Sequence, residues 1–90
     1  MTYKISIYDL EIVDEQVINF PPSAKIMSAG EQWRKVVIYV LKDVDEEETV
    51  PVTIKLVQTG DNFDNFKEFG FIGTVKLSDS HSVWHVFWRL

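Results

Sequence analysis

Hydrophobic and polar residues alternate along most of this 90-residue chain, which is the two-residue period of β-strands. A near-continuous apolar run, WRKVVIYVLK at residues 33–42, predicts a central strand covered on both faces, because it is rich in β-branched and aromatic residues. Residues 30–32, beginning with Gly30, supply the predicted turn before it. The alternating segments predict further strands over residues 2–8, 16–20, 24–29 and 50–58 and in a hairpin over 71–90.

The connection at residues 59–70, TGDNFDNFKEFG, interrupts this alternation. Asp61 is placed to cap a short helical turn, with Phe63, Phe66 and Phe69 pointing inward at spacings of three. A connection of this length is long for a compact domain, and long connections are often functional. The whole pattern predicts one all-β domain over residues 1–90, an antiparallel sandwich or barrel of five to seven strands with at most one short helix.

Composition narrows the possible chemistry. The chain has no cysteine, which excludes disulfides, thiolate metal sites and a cysteine nucleophile. A formal net charge of −5 disfavours direct binding to nucleic-acid phosphates. No apolar run approaches the roughly 20 residues that cross a bilayer, and the first residues lack the pattern of a signal peptide. We therefore predict a soluble, cytoplasmic protein that binds neither nucleic acid nor membrane.

The two histidines are the first candidates for catalysis or metal binding. His81 and His85 are four residues apart, which on a straight strand separates them by about 13 Å, too far to share one ion. We predict no metal site, no cofactor and no enzymatic activity, since the chain also lacks a G-x-S-x-G elbow. The alternation places His85 outward, as a packed or half-exposed residue. The same alternation predicts that the core-facing side of this strand consists of Trp84, Val86, Trp88 and Leu90.

Candidate binding residues lie in two acidic segments and at one tryptophan. Residues 43–48, DVDEEE, predict an exposed loop whose carboxylates could imitate nucleic acid toward another protein, although ordinary solubilising charge is the simpler interpretation. The loop lacks the glycine and the spaced glutamate of an EF-hand, so calcium binding is not predicted. Tryptophan is enriched at protein-binding hot spots. The predicted binding residues are Asp45, Glu46, Glu47, Asp61, Asn62, Asp64 and Trp33.

Several short segments occur in a distinctive order: TG at residues 59–60, FIGTVKL at 71–77 and SVWHVF at 82–87, preceded by FPPSAKIMSAG at 20–30. Together they cover about half the chain and resemble a family of small uncharacterised domains found in bacteriophages and prophages. In that family the Thr-Gly pair is commonly followed by histidine, whereas Asp61 stands here. The resemblance implies a β-rich fold and a phage or mobile-element setting. It implies no activity.

The leading functional hypothesis is a small non-enzymatic phage-type accessory protein that binds a host or phage protein in the host-cell cytoplasm. A host-defence antagonist, such as an anti-CRISPR protein, is one instance. An alternative is a protein that sequesters a small ligand or nucleotide signal in a pocket between residues 59–70 and the last strand. A second alternative is a virion or homo-oligomeric structural component, in which an edge strand pairs between subunits.

Overall fold

A computed structural model describes residues 2–90 as two antiparallel β-sheets. The strands are β1 (Tyr3–Asp9), β2 (Glu15–Phe20), β3 (Lys25–Gln32), β4 (Lys35–Asp43), β5 (Val50–Gln58), β6 (Gly70–Lys76) and β7 (Val83–Arg89). One 3-10 turn, η1 (Phe66–Glu68), lies between β5 and β6. The sheet orders are β1-β4-β3 and β2-β5-β7-β6. The predicted all-β fold of five to seven strands with at most one short helix is confirmed.

The core lies between the two sheets. Its centre is formed by alternate residues of β4 and β5, two of the three inner strands, among them Val36, Ile38, Val40, Val52, Ile54 and Leu56. Val86 of β7 is also fully buried there. Burying one such aliphatic side chain contributes roughly 1.5–3 kcal/mol to stability. The burial of these alternate side chains therefore holds the two sheets together. On the opposite face of β4, Val37 is fully buried, but Tyr39 and Leu41 are only half-buried. The prediction that β4 is covered on both faces is therefore correct at Val37 and wrong for the rest of that face.

The turn between β3 and β4 lies later than predicted. β3 continues through Gln32, which pairs with Lys35, and the two residues Trp33 and Arg34 make the turn. The predicted turn at residues 30–32 and the predicted strand start at Trp33 were therefore wrong. Gly30 instead lies within β3, where the ring of Tyr39 lies 3.3 Å from the position that a Cβ atom would occupy. This glycine provides room for a side chain and does not mark a turn.

The turn at Trp33-Arg34 is conformationally costly. Both residues have positive φ angles, 52° and 63°, as two-residue hairpin turns with the twist of the strands require. Such turns normally use Asn-Gly, because a side chain with a Cβ atom costs roughly 1–2 kcal/mol in the left-handed region. Trp33 is nevertheless 68% exposed at the tip of this hairpin. The fold holds a large aromatic side chain in water on a strained backbone.

The last strand follows the predicted alternation except at its end. Trp84 and Trp88 pack against the core on either side of Val86, which confirms the inward side of the prediction. Leu90 lies beyond the end of β7 and is 79% exposed, so its predicted core position was wrong. His81 lies in the turn before β7 with a φ of 59°, outside the strand that contains His85.

The long connection packs over the outer face of the four-stranded sheet. The ring centroid of Phe63 lies 4.8 Å from that of Phe87, 5.4 Å from that of Phe69 and 6.4 Å from that of Phe66. Phe71 lies 5.3 Å from Phe87 on the other side. We name these five residues the phenylalanine cluster. The predicted packing is correct for the half-buried Phe63 and Phe69 and wrong for Phe66, which is 54% exposed. The surface that Phe63 covers is the outside of the sheet and not the core.

Asp61 caps no helix, contrary to the prediction. Its N–H donates to the carbonyl of Gln58 at 3.0 Å in the turn that follows β5. The 3-10 turn begins later, with Asn65 at its N-cap and no side-chain capping bond. Gly60, with a φ of 98°, permits this tight turn and moves the helical residues away from Asp61.

Lys55 connects the start of β2, the strand β5 and the long connection. Although charged, it is only 8% exposed. Its ammonium lies 2.7 Å from Asp14 Oδ1 and 3.7 Å from Glu15 Oε2, and 5.4 Å from the ring centroid of Phe63. A buried cation is tolerated only when it is paired, and here two carboxylates and an aromatic face supply the pairing.

Candidate functional site

The predicted binding residues do not form one site. Trp33 lies at the tip of the β3–β4 hairpin, whereas residues 45–47 lie in the loop after β4. The length of β4 separates these two places by about 30 Å at 3.3 Å per residue. Residues 61–64 lie in the connection between β5 and η1, on the other sheet. The structure therefore divides the predicted set among three surfaces.

The acidic loop is partly structural. The carboxylate of Glu46 accepts hydrogen bonds from the N–H and the hydroxyl of Ser23, at 3.2 and 2.7 Å. The N–H of Asp45 donates to Asp43 Oδ1 at 2.9 Å, which closes the turn at the end of β4. Glu46 thus attaches the loop to the turn that precedes β3. The side chains of Asp45 and Glu47 are exposed and free to meet a partner.

The other acidic segment borders the phenylalanine cluster. Asp61, Asn62 and Asp64 are all exposed, on either side of the half-buried Phe63. Their positions are therefore fixed by an aromatic anchor, while their polar groups face solvent. The sequence could not show this arrangement, because the surface under Phe63 belongs to strands that are distant along the chain.

His85 is clamped between two threonines on the outer face of the four-stranded sheet. Its Nε2 lies 2.7 Å from the hydroxyl of Thr59, and its Nδ1 lies 2.9 Å from the hydroxyl of Thr74. The expectation of a half-exposed, hydrogen-bonded histidine is confirmed. Because both ring nitrogens already have partners, the ring serves to hold the Thr59-Gly60 turn against β6 and β7.

A surface hydrogen bond ties β3 to the turn between β6 and β7. The carboxylate of Glu31 accepts from the N–H and the hydroxyl of Ser78, at 2.9 and 2.8 Å. These bonds lower the pKa of Glu31 below its ordinary value of 4.5, the backbone bond contributing most. The folded state therefore holds the ionised form more strongly than the unfolded chain does.

This shift predicts a pH-dependent term in stability. Its stabilisation is complete above pH 4.5 and is lost as the pH falls through the lowered pKa of the folded state. In urea titrations between pH 6 and 3, Glu31→Gln should lower stability at pH 6 and lose less stability on acidification than the wild type. Glu68→Gln, an exposed control, should follow the wild-type curve. Parallel curves for Glu31→Gln and the wild type would contradict the prediction.

The apolar residues of the first strand, β1, lie on the solvent side of the sheet. Tyr3, Ile5 and Ile7 are 49%, 56% and 38% exposed on the outside of the three-stranded sheet. The residues between them, Lys4 and Ser6, instead line a cleft of about 210 Å³ beside Lys42 and Pro21. Large apolar side chains thus face solvent while their polar neighbours face the protein, and such exposed apolar patches mark interaction sites.

Two half-buried residues of β4 extend this apolar surface. Leu41 lies opposite Ile5 and Tyr39 lies opposite Ile7 in the β1–β4 register. We name the five residues Tyr3, Ile5, Ile7, Tyr39 and Leu41 the outer β1 face. Sequence alternation alone could not identify it, because the same period fits either orientation of the strand.

The same strand is an open edge. β1 pairs with β4 on one side, and its other side has no strand partner within residues 2–90. Edge strands are usually protected by proline, a bulge or a covering element. β1 contains no proline, and its register with β4 is uninterrupted over all seven residues. Unpaired backbone groups and apolar side chains therefore occur on the same strand.

The larger of two measured clefts lies at the end of the sandwich where β2 ends and β3 begins. Its volume is about 370 Å³, and its walls include Phe20, Pro22, Val50 and Trp88. We name it the apolar cleft. None of residues 59–70 lines either cleft, although Gly70 pairs with Trp88, which forms part of the wall of the apolar cleft. Between residues 59–70 and the last strand, where a ligand pocket was predicted, Phe63 packs on Phe87.

Within residues 2–90, no three His, Cys, Asp or Glu side chains are grouped so that they could hold a metal ion. No helix in the same range has the length and hydrophobicity needed to span a bilayer.

Comparison with known proteins gives a family but no activity. No curated protein and no solved structure matches the chain significantly. A family model described as a domain of unknown function (DUF7352) matches residues 1–90. The resemblance to an uncharacterised family is therefore confirmed at this level, while the phage setting stays a prediction. The match extends over the whole chain, and the protein belongs to the DUF7352 family.

Proposed function

We propose that this protein is a non-enzymatic binding module that receives an extended segment of a partner protein on the edge of β1. The observation that carries the proposal is the inverted first strand, on which Tyr3, Ile5 and Ile7 face solvent while Lys4 and Ser6 face the cleft. Apolar surface that stays in water lacks the stabilisation of about 25 cal/mol per Å² that burial would give. A partner that covers the outer β1 face recovers that stabilisation.

The open edge determines the mode of binding. A partner strand beside β1 would pair with its free N–H and C=O groups and extend the three-stranded sheet to four strands. Backbone hydrogen bonds then supply affinity, and alternate side chains of the partner pack beside Tyr3, Ile5 and Ile7. The partner segment is therefore expected to be extended, with apolar residues at every second position.

The wider setting rests on the sequence resemblance. A phage or mobile-element origin, a host or phage protein as the partner and antagonism of host defence are carried forward as parts of the proposal. The exposed carboxylates of Asp45 and Glu47 support electrostatic steering toward a basic partner, which raises the association rate more than the affinity.

The proposal predicts that one charged residue on β1 removes binding without unfolding the protein. Ile5→Lys should reduce capture of a specific partner from host lysate at least tenfold, because it places a cation in the apolar contact. Ile5 is 56% exposed, so the free energy of unfolding should change by less than about 0.5 kcal/mol. Quantitative affinity capture and urea unfolding measure the two effects.

Val17→Lys is the matched control, since Val17 is 63% exposed on the edge strand β2 of the other sheet. It should retain the partner. Equal capture by Ile5→Lys and the wild type would reject the β1 surface. Light scattering separates the remaining case: a dimer of the pure protein that Ile5→Lys abolishes would show that β1 pairs with a second copy, contrary to the proposal.

A further inference from the structure

Trp33 is a projecting aromatic group that is not part of the core of its own chain. It is 68% exposed at the tip of the β3–β4 hairpin and lies outside the core and the phenylalanine cluster. Its backbone and that of Arg34 are held at positive φ, where Asn-Gly would be less strained. A strained backbone that keeps a large aromatic side chain in solvent points to a contact with another molecule.

The apolar cleft lies at the opposite end of the same sheet. Ile26 of its wall and Trp33 are separated by seven residues of β3, about 23 Å at 3.3 Å per residue. The cleft is bounded by flat, rigid surfaces from Pro22, Phe20 and Trp88. Among its lining residues only Lys25 is charged. An indole ring is flat and largely apolar, so its faces suit the apolar walls of such a cavity.

We propose that two copies of this chain associate head to tail, with the Trp33 indole of one copy in the apolar cleft of the next. Lys25 supports this arrangement, because an ammonium over an indole face is favourable. Charge at the two ends is also complementary. Arg34 follows Trp33 in the exposed turn, whereas Lys35 already lies 3.9 Å from the carboxylate of Asp9. The loop that leads into the cleft at Val50 carries the exposed carboxylates of Asp45, Glu47 and Glu48.

The contact joins two different surfaces, so it leaves a free tryptophan at one end and a free cleft at the other. Association of this kind continues into chains unless the rotation between copies closes a ring. One tryptophan and its rim bury less than a standard interface, so we expect a dissociation constant on the order of 100 µM. The proposal does not involve the outer β1 face, and it shares with the proposed function only the exposed carboxylates of Asp45 and Glu47.

Complementation between two variants tests the proposal. Trp33→Ala removes the projecting group and keeps the cleft. Leu90→Trp keeps Trp33 but adds an indole of the same chain that takes up the volume of the cleft, at a position that is 79% exposed and so dispensable for folding. Sedimentation velocity from 10 µM to 1 mM should show the wild type growing in mass and each variant alone staying monomeric. An equimolar mixture should form dimers and nothing larger.

The controls separate this contact from pairing through β1 and from misfolding. Ile5→Lys and Val17→Arg should associate like the wild type, and all variants should keep a cooperative unfolding transition. A monomeric wild type at 1 mM, association of Trp33→Ala alone, or a mixture that stays monomeric would each overturn the proposal. Association lost in Ile5→Lys but kept in Trp33→Ala would also overturn it and assign self-association to β1.

Discussion

Phe20→Ala is expected to lower the free energy of unfolding by about 3–5 kcal/mol, the cost of removing a large aromatic side chain from a packed core. Phe20 is 2% exposed at the end of β2. Its ring centroid lies 4.9 Å from that of Tyr8 in an edge-to-face arrangement, so it joins the two sheets directly. Urea unfolding followed by tryptophan fluorescence measures the loss.

A loss of this size is a large part of the whole free energy of unfolding, which is usually about 5–15 kcal/mol. Val17→Ala in the same strand is the control and should change stability by less than about 0.5 kcal/mol, since Val17 is largely in solvent. A loss below about 1 kcal/mol for Phe20→Ala would mean that the sheets are not joined through this residue.

Phe87→Ala is expected to cost about 2–3 kcal/mol and to release the long connection from the sheet. Phe87 contacts Phe63 on one side and Phe71 on the other, and its removal leaves the connection without its main apolar contact. Hydrogen exchange should then rise at residues 61–69 more than in β5. Urea unfolding gives the stability, and exchange measured by mass spectrometry gives the local effect.

Asp61→Ala tests the same segment without touching its anchor. Asp61 is exposed, and only its backbone N–H bonds to β5, so stability should change by less than about 0.5 kcal/mol. Uniform exchange in Phe87→Ala, or a large loss in Asp61→Ala, would show that the polar residues and not the phenylalanines hold the connection.

The stability losses expected for Phe20→Ala and Phe87→Ala distinguish the residues that stabilise the fold from the exposed residues that are free to bind a partner. Phe20 lies between the two sheets, and Phe87 lies beneath the long connection on the outer face of the four-stranded sheet. By contrast, Ile5 on β1 and Trp33 at the hairpin tip place comparable apolar side chains in solvent. Substitutions at the first pair should change stability, and substitutions at the second pair should change association. That contrast follows from burial, since the four side chains are chemically similar.

The sequence by itself determined the fold class and most strand positions. The strand predicted over residues 50–58 has the bounds of β5, because Val52, Ile54 and Leu56 alternate with residues on the other face and meet a single core. A two-residue period is a local property, so it is visible without knowing which strands are neighbours. The inward side of β7 was predictable for the same reason.

Tertiary structure alone decided which surfaces are exposed. Tyr3, Ile5 and Ile7 alternate as a buried strand would, yet the sheet places them outside, because both orientations of a strand have the same period. Lys55 looks like a solvent residue in the sequence and is buried, since Asp14 and Phe63 reach it from distant segments. The turn at Trp33-Arg34 could not be predicted, because tryptophan and arginine seldom adopt the positive φ angles that it needs. The pairing of Gln32 with Lys35 leaves only these two residues to make the turn.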